Sequence, residues 1–321
     1  MNHPEPRLAS HIKPHQHNGI TWLDVKNPAA ADLERLQHDY QLHPIHLTES
    51  LQKVQHTQVE REAGYLFLIL YFPVFDHRTD KVQLGQVGVF LGENYVITIR
   101  PSASPILDNM SDQCEQSAGQ TLGYFKQGSA HLLYNLIRQL LNNISDMIDI
   151  VTTELDDIED VVFDNNDSDA QKIGKVRQKI VRLRRVIGPQ KNVLRDLADQ
   201  IDSFSGQRMA KYYSNNLKTI NRLWEEIEEA KETIEIYKDA DFTTSTERTN
   251  GILAILTIIF TFTIPITVVG TLYGMNVPLP GGITAGAWTF LGAYTTLEIL
   301  VVMSLVMAGG MYLYFRLKRW L

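Results

Sequence analysis

The chain has 321 residues and a formal net charge of −7, long enough for two or three structural units. An acidic chain lacks the basic surface that binding to a phosphate backbone requires, so nucleic acid is excluded as a partner. Its one cysteine, Cys114, excludes an intramolecular disulfide and reads as a reduced cytosolic thiol.

The N-terminus carries no apolar signal segment. Residues 1–18 read as a disordered polar tail, with a metal site at His11, His15 and His17 as the alternative. Ile20 to Val25 alternates like a half-buried strand. Asn27-Pro28 pairs an N-cap residue with proline at the first helical position, so a helix is expected to run to about Tyr40, and a short one after Pro44. Gly64 to Phe75 is aromatic and aliphatic and reads as a buried strand. Val82 to Leu91 and Tyr95 to Arg100 form a hairpin around Gly92-Glu93-Asn94. Pro101 ends it, and a helix is expected near Ser104 to Ala118. Residues 19–120 thus form a small mixed α/β domain.

After Gly128 the pattern changes to long helices, over residues 129–250. Leu133, Ile137, Leu140, Ile144, Met147, Ile148 and Val151 follow helical spacing in a helix to about Phe163. A second helix runs from Ala170 to about Asp202, and Gly188-Pro189 is expected to kink or split it. A third starts near Gln207. Neither Gly nor Pro occurs from Arg208 to Thr249, so it should run unbroken into the apolar segment that follows. Such a helix of over 60 residues is roughly 90 Å long at 1.5 Å per residue. A stalk of that length needs copies of itself to bundle with.

No Asp, Glu, Lys, Arg or His occurs from Thr249 to Leu297. Within that gap lies a first apolar run, at 251–273, and a second follows at 294–315; each is long enough to cross a bilayer. Between them is a loop, 274–293. Arg316, Lys318 and Arg319 make residues 316–321 basic, and the loop carries no charge. The positive-inside rule then places both termini in the cytoplasm, on a multi-pass protein of the cell (inner) membrane. Trp288 and Trp320 suit interfacial belts. Asn250, Leu253, Leu256 or Thr257, Phe260, Ile264, Thr267 and Thr271 follow three- and four-residue steps and share one face of the first span. Polar side chains at that depth face protein or a water path. The alternative is that each threonine bonds back to its own helix.

Tyr273-Gly274-Met275-Asn276 closes the first span. This arrangement resembles the CorA family of divalent-metal transporters. There a Gly-Met-Asn signature, preceded by Tyr or Phe, ends the first of two C-terminal membrane helices. The resemblance implies an α+β fold: an N-terminal mixed α/β cytoplasmic domain and a long helical stalk continuous with the first membrane helix. It also implies a funnel-shaped homopentamer around one pore. In that pore, Asn250 matches a polar ring, Leu253, Leu256 and Ile264 a hydrophobic gate, Thr267 a pore hydroxyl and Pro265 a kink. Tyr273, Gly274, Met275 and Asn276 form the ion entrance, with neutral acceptors suited to hydrated Mg²⁺. Asp239 matches an acidic ring at the cytoplasmic mouth; a solvated stalk residue is its alternative.

Two departures from the family pattern stand out. The loop after Asn276 has no acid before Glu298, which either replaces missing charge or serves as an interfacial hydrogen-bonding residue. In family members a regulatory Mg²⁺ bridges two carboxylates of neighbouring subunits; the matching positions here are Asp76 and Asn215, a weaker pair. The acids Glu154, Asp156, Asp157, Glu159, Asp160, Asp164, Asp167 and Asp169 form either a solvated tip or a counterpart to Lys172 to Arg185 and the basic C-terminus. The expected activity is channel-like uptake of Mg²⁺, with Co²⁺ or Ni²⁺ as further cargo. A zinc transporter of the same fold, proton-coupled or not, is the runner-up, and a non-transporting membrane-anchored scaffold is the remote alternative. No nucleotide-phosphate loop and no nucleophile-plus-base set is present, so an enzyme is not expected. Nor is a cofactor expected, beyond transported or regulatory Mg²⁺. The partners are the chain itself, membrane lipid and divalent cations.

Overall fold

The structure is a computed structural model and describes residues 11–52, 59–76, 78–79, 81–102, 104–116, 123–164, 170–206, 208–275 and 295–318. Regular structure begins earlier than the expected tail allows. β1 (Ile12–His17) turns into β2 (Ile20–Lys26) through Asn18 and Gly19, at φ 49° and 77°. The strands pair antiparallel with His17 opposite Ile20. Two successive left-handed residues give the tight turn whose twist matches that of the strands, and Asn-Gly adopts it at low cost. The tail is therefore corrected from Ile12 onward. His15 lies 2.9 Å from the Ser111 hydroxyl and packs on the Trp22 ring. Burial pushes its pKa below the usual histidine value, so it belongs to the domain core.

The helix expected from Asn27-Pro28 begins later. Asn27 itself is left-handed at φ 48°, and α1 spans Ala30–Tyr40 with Ala29 at the cap. Ala29 has no polar side chain, so the Asp32 carboxylate accepts the Ala29 N–H from inside the helix, at 2.8 Å. α2 (Pro44–Leu51) follows, with proline in its first turn. Then come β3 (Val59–Arg61), which no sequence signal marked, β4 (Tyr65–Asp76), β5 (Lys81–Gly92), β6 (Tyr95–Arg100) and α3 (Pro105–Gln116). The six strands form one sheet in the order β1-β2-β6-β5-β4-β3. β2 and β6 are parallel and the other neighbours antiparallel. The hairpin expected about Gly92-Glu93-Asn94 is the β5–β6 pair.

A buried ion cluster joins β2, β6 and α3. Arg100 and Asp24 are 1% and 2% exposed. Arg100 donates to both Asp24 oxygens, at 3.1 and 2.6 Å, and to Asp108 at 2.7 Å. Thr98 donates to Asp24 at 3.0 Å and accepts from the Trp22 indole at 3.1 Å. Burial alone would lower the arginine pKa, but the hydrogen bonds and charges of Asp24 and Asp108 outweigh it and hold it raised.

Long helices complete the first unit, Met1–Asp239. α4 (Gly128–Glu159) buries every apolar position read from its spacing, Leu133 through Val151. A single π-helical turn, Asp160–Asp164, continues it. α5 (Ala170–Ser205) runs through Pro189 without splitting. Val186, Ile187, Gln190, Val193 and Leu194 are buried on both sides of the proline. Their packing outweighs the one helical hydrogen bond that proline removes. Gln190 also donates to the Tyr71 carbonyl of β4 at 2.5 Å. α6 (Ala210–Gly274) is one helix of 65 residues, as the lack of Gly and Pro predicted. Its C-terminal part and α7 (Thr295–Leu317) make up the described residues of the second unit, Ala240–Leu321. Both helices are long and apolar enough to span a membrane.

Asp24→Ala should destabilise the soluble unit by about 3–5 kcal/mol, because Arg100 would stay buried without its main partner. Chemical unfolding of the purified protein, followed by Trp22 near-ultraviolet dichroism, measures this; a loss under about 1 kcal/mol would mean that Asp108 and water suffice for Arg100.

Candidate metal pathway

In the second unit, the residues that share the expected pore face all lie on α6. Leu253, Leu256 and Ile264 are exposed in the single chain. Near the start of the apolar segment, Asn250, Leu253 and Thr257 line a recess of about 550 Å³ that Phe315 of α7 borders. Sequence reasoning missed Phe315, because nothing in an apolar run marks which residue meets a neighbouring helix.

The threonines bond back to their own helix, which is the alternative to their facing a water path. Thr257, Thr263, Thr267 and Thr271 donate to the carbonyls four residues earlier at 2.7, 2.9, 2.8 and 2.5 Å. This has a chemical consequence. A hydroxyl whose proton is held by a carbonyl presents only lone pairs outward. Water bound to a cation points its hydrogens away from the metal, so it needs acceptors. Thr263 belongs to this set and was not singled out in the sequence, although it stands four residues before Thr267.

α6 ends at Gly274, and Met275 follows it exposed. Asn276 lies outside the described residues, as do the loop residues after it and the side chain of Tyr273. Glu298 is exposed in the first turn of α7. A carboxylate there interacts favourably with the helix dipole, which adds a local reason for its presence. Asp239 is exposed and 3.4 Å from Lys238.

The two expected regulatory positions lie on separate elements. Asp76 ends β4 and organises the turn into β5. Its carboxylate accepts from the Arg78 N–H at 3.0 Å, the Thr79 hydroxyl at 2.8 Å and the Gln83 amide at 3.3 Å. The Thr79 hydrogen bond, followed by that of Arg78, holds its pKa below the usual carboxylate value. Asn215 is exposed on α6, and its carbonyl accepts from Thr219 at 3.1 Å.

The acidic tip is partly neutralised by α5. Lys179 reaches Glu154 at 2.6 Å and Lys172 reaches Asp157 at 3.2 Å. Tyr237 donates to Glu159 at 2.7 Å, and burial, then that carboxylate, pushes the phenol up to about 12. These contacts favour the counter-charge reading for Lys172 to Arg185. Asp167, Asp169 and the Asp164 side chain lie outside the described residues. Among the described residues, no group of three or more His, Cys, Asp or Glu is set to hold a metal ion.

Comparison with known proteins decides the family. A sequence model of the family described as CorA-like Mg²⁺ transporter protein matches residues 17–319. The chain belongs to the CorA family. Members of this family are metal transporters, not enzymes, and this chain is one of them. The cobalt/magnesium transport protein CorA of Thermotoga maritima is 22% identical over 303 residues, spanning 94% of this chain and 83% of its own. The complete structure of the CorA magnesium transporter from Methanocaldococcus jannaschii superposes with a TM-score of 0.75 at 18% identity, covering 98% of this chain and 95% of that one. The ZntB cytoplasmic domain from Vibrio parahaemolyticus superposes with a TM-score of 0.59 at 16% identity, covering 76% and 93%. The solved structures bear out the fold expected of a CorA protein: a mixed sheet, long helices and two C-terminal membrane helices.

Lys179→Met should strand Glu154, whose other oxygen already has no partner in its buried position. The expected loss is roughly 2 kcal/mol, below the full cost of an isolated buried charge because Glu154 keeps partial exposure. Adding Glu154→Leu should restore most of it. Thermal unfolding of both variants checks this pair of outcomes.

Proposed function

We propose that this CorA-family chain assembles as a homopentameric, channel-like pathway for Mg²⁺ across the cell membrane, with its soluble unit and both termini in the cytoplasm. The observation that carries the reading is the match of the CorA-like Mg²⁺ transporter family model to residues 17–319, and the uncharged face of α6, with the acceptor lone pairs of Thr257, Thr267 and Thr271, is compatible with it. Mg²⁺ holds six waters tightly and sheds them reluctantly. A wall of neutral acceptors passes such an ion with its shell, whereas carboxylates would hold it too long. Asn276, one per subunit, supplies the same chemistry at the entrance. The membrane potential drives the flux: a divalent ion gains about 4.6 kcal/mol at 100 mV. Arg316, Lys318 and Arg319 support the cytoplasmic C-terminus. Ile236 and Phe242 stand 61% and 72% exposed on α6 in the single chain, which supports self-association along that helix.

A zinc pathway is the second reading. Two observations favour it: the likeness of the soluble unit to the ZntB cytoplasmic domain, and a loop after Asn276 that has no acid before Glu298. The names of the full-length relatives and of the family model favour Mg²⁺. Purified protein in liposomes should take up Mg²⁺ in preference to Zn²⁺, with Co²⁺ and Ni²⁺ competing. Preferred uptake of Zn²⁺ under a proton gradient would replace the first reading by the second. Asn276→Ala should abolish uptake while leaving the oligomer mass unchanged, and Asn276→Asp should bind divalent ions more tightly and slow their passage.

The regulatory pair follows from the same reading. Both oxygens of Asp76 already accept hydrogen bonds, and Asn215 carries no charge. Internal Mg²⁺ therefore inhibits weakly across this interface. Asn215→Asp should lower the inhibitory Mg²⁺ concentration by a few-fold, since one added charge per interface is screened at a surface. An unchanged inhibition curve would remove Asn215 from the site.

A further inference from the structure

On the soluble unit, one face of α4 and the first turn of α6 border an open recess of about 390 Å³. His131, Tyr134, Asn135 and Arg138 reach it from α4, spaced three and four residues apart so that they share a helix face. Tyr212 reaches it from α6, and Tyr124 and Lys126 from the segment before α4. Among the described residues, no Asp or Glu lines the recess. In a chain of net charge −7, two cations converge here. Neither Lys126 nor Arg138 makes an ion pair with an acid among the described residues.

The rest of the wall is aromatic. Tyr134 and Tyr212 meet edge to face with centroids 5.2 Å apart, and His131 meets Tyr212 at 5.4 Å and 90°. The Arg138 guanidinium lies 5.6 Å over the Tyr134 ring, which holds it at the rim without neutralising it. His131 Nδ1 lies 3.2 Å from the Tyr124 carbonyl and 3.1 Å from the Asn135 side-chain amide. Burial, its largest influence, lowers its pKa. The imidazole is thus neutral at neutral pH.

Two cations without an ion-pair partner call for an anion, and the half-exposed ring of Tyr212 beside them offers a face to a planar ring. We propose that this recess binds a free nucleoside phosphate, with the base against Tyr212 and the phosphates on Arg138 and Lys126. The volume suits a ligand of that size, and stacking on tyrosine tolerates any base. The site lies on the soluble unit and is independent of which metal the chain carries.

The test is binding of ATP to the purified full-length protein, by calorimetry in buffer containing EDTA so that removal of metal from the protein adds no heat. Saturable binding is expected, weakened roughly tenfold by Arg138→Gln, the size of one lost charge-assisted hydrogen bond. Tyr212→Leu should weaken ATP but leave inorganic tripolyphosphate unchanged. Circular dichroism and oligomer mass should match the parent protein, since Arg138 is exposed and Tyr212 half-exposed. Three results would each overturn the proposal: no saturable binding below about 1 mM, ATP affinity indifferent to both variants, or tripolyphosphate binding as tightly as ATP. The last would reduce the recess to a simple anion site.

Discussion

Within hydrocarbon no water is available to a peptide group, so every backbone N–H and C=O must find its partner inside the protein. That constraint shapes the apolar part of α6. The helix holds Pro265, which has no N–H to offer, and yet it continues to Gly274. Threonines fit the same constraint, because each hydroxyl can discharge its proton onto a carbonyl one turn back. The result is a helix without a formal charge whose surface still carries acceptor oxygens.

The soluble unit answers a different constraint. Its sheet has one parallel pair, β2 with β6, and that pair carries Asp24 and Arg100. The two opposite charges, almost fully buried, satisfy each other in bidentate geometry, with Thr98 and Asp108 taking the remaining bonds. The cluster ties the first strand pair to the later hairpin and to α3, elements far apart in sequence. The aromatic and aliphatic run that became β4 reads as a buried strand, and in the structure its first nine residues are all buried, as expected for a strand covered on both faces.

The charge rules differ sharply between the two units. In the soluble unit, acids and bases are paired one with another: Lys179 with Glu154, Arg184 with Glu228, Arg177 with Glu235. The recess at Tyr212 departs from this habit, with cations and no acids. On α7, by contrast, the charges stand only at the two ends, Glu298 in the first turn and Arg316 in the last. Both positions suit the helix dipole as well as the water that flanks a bilayer.

Much of this protein was legible in its residues. The two apolar runs, the uninterrupted stalk and the β5–β6 hairpin follow from periodicity and from where Gly and Pro do not occur. The family followed from four residues, Tyr273 to Asn276, and from their place in the chain. The errors have identifiable causes. Asn18-Gly19 is a strong hairpin signal, but β1 contains Pro14 and two histidines and does not look like a strand alone; pairing with β2 and burial against Ser111 and Trp22 make it one. Asn27-Pro28 has the residues of a helix start, yet a carboxylate three residues beyond Ala29 holds that end. Pro189 should break a helix, but buried neighbours on both sides keep it continuous. Phe315 and the aromatic recess around His131 were invisible, because they join residues from distant segments. Local propensity and hydropathy act over a few residues and can be read along the chain. Burial and pairing of charges depend on which segments meet, and that is set by packing in three dimensions.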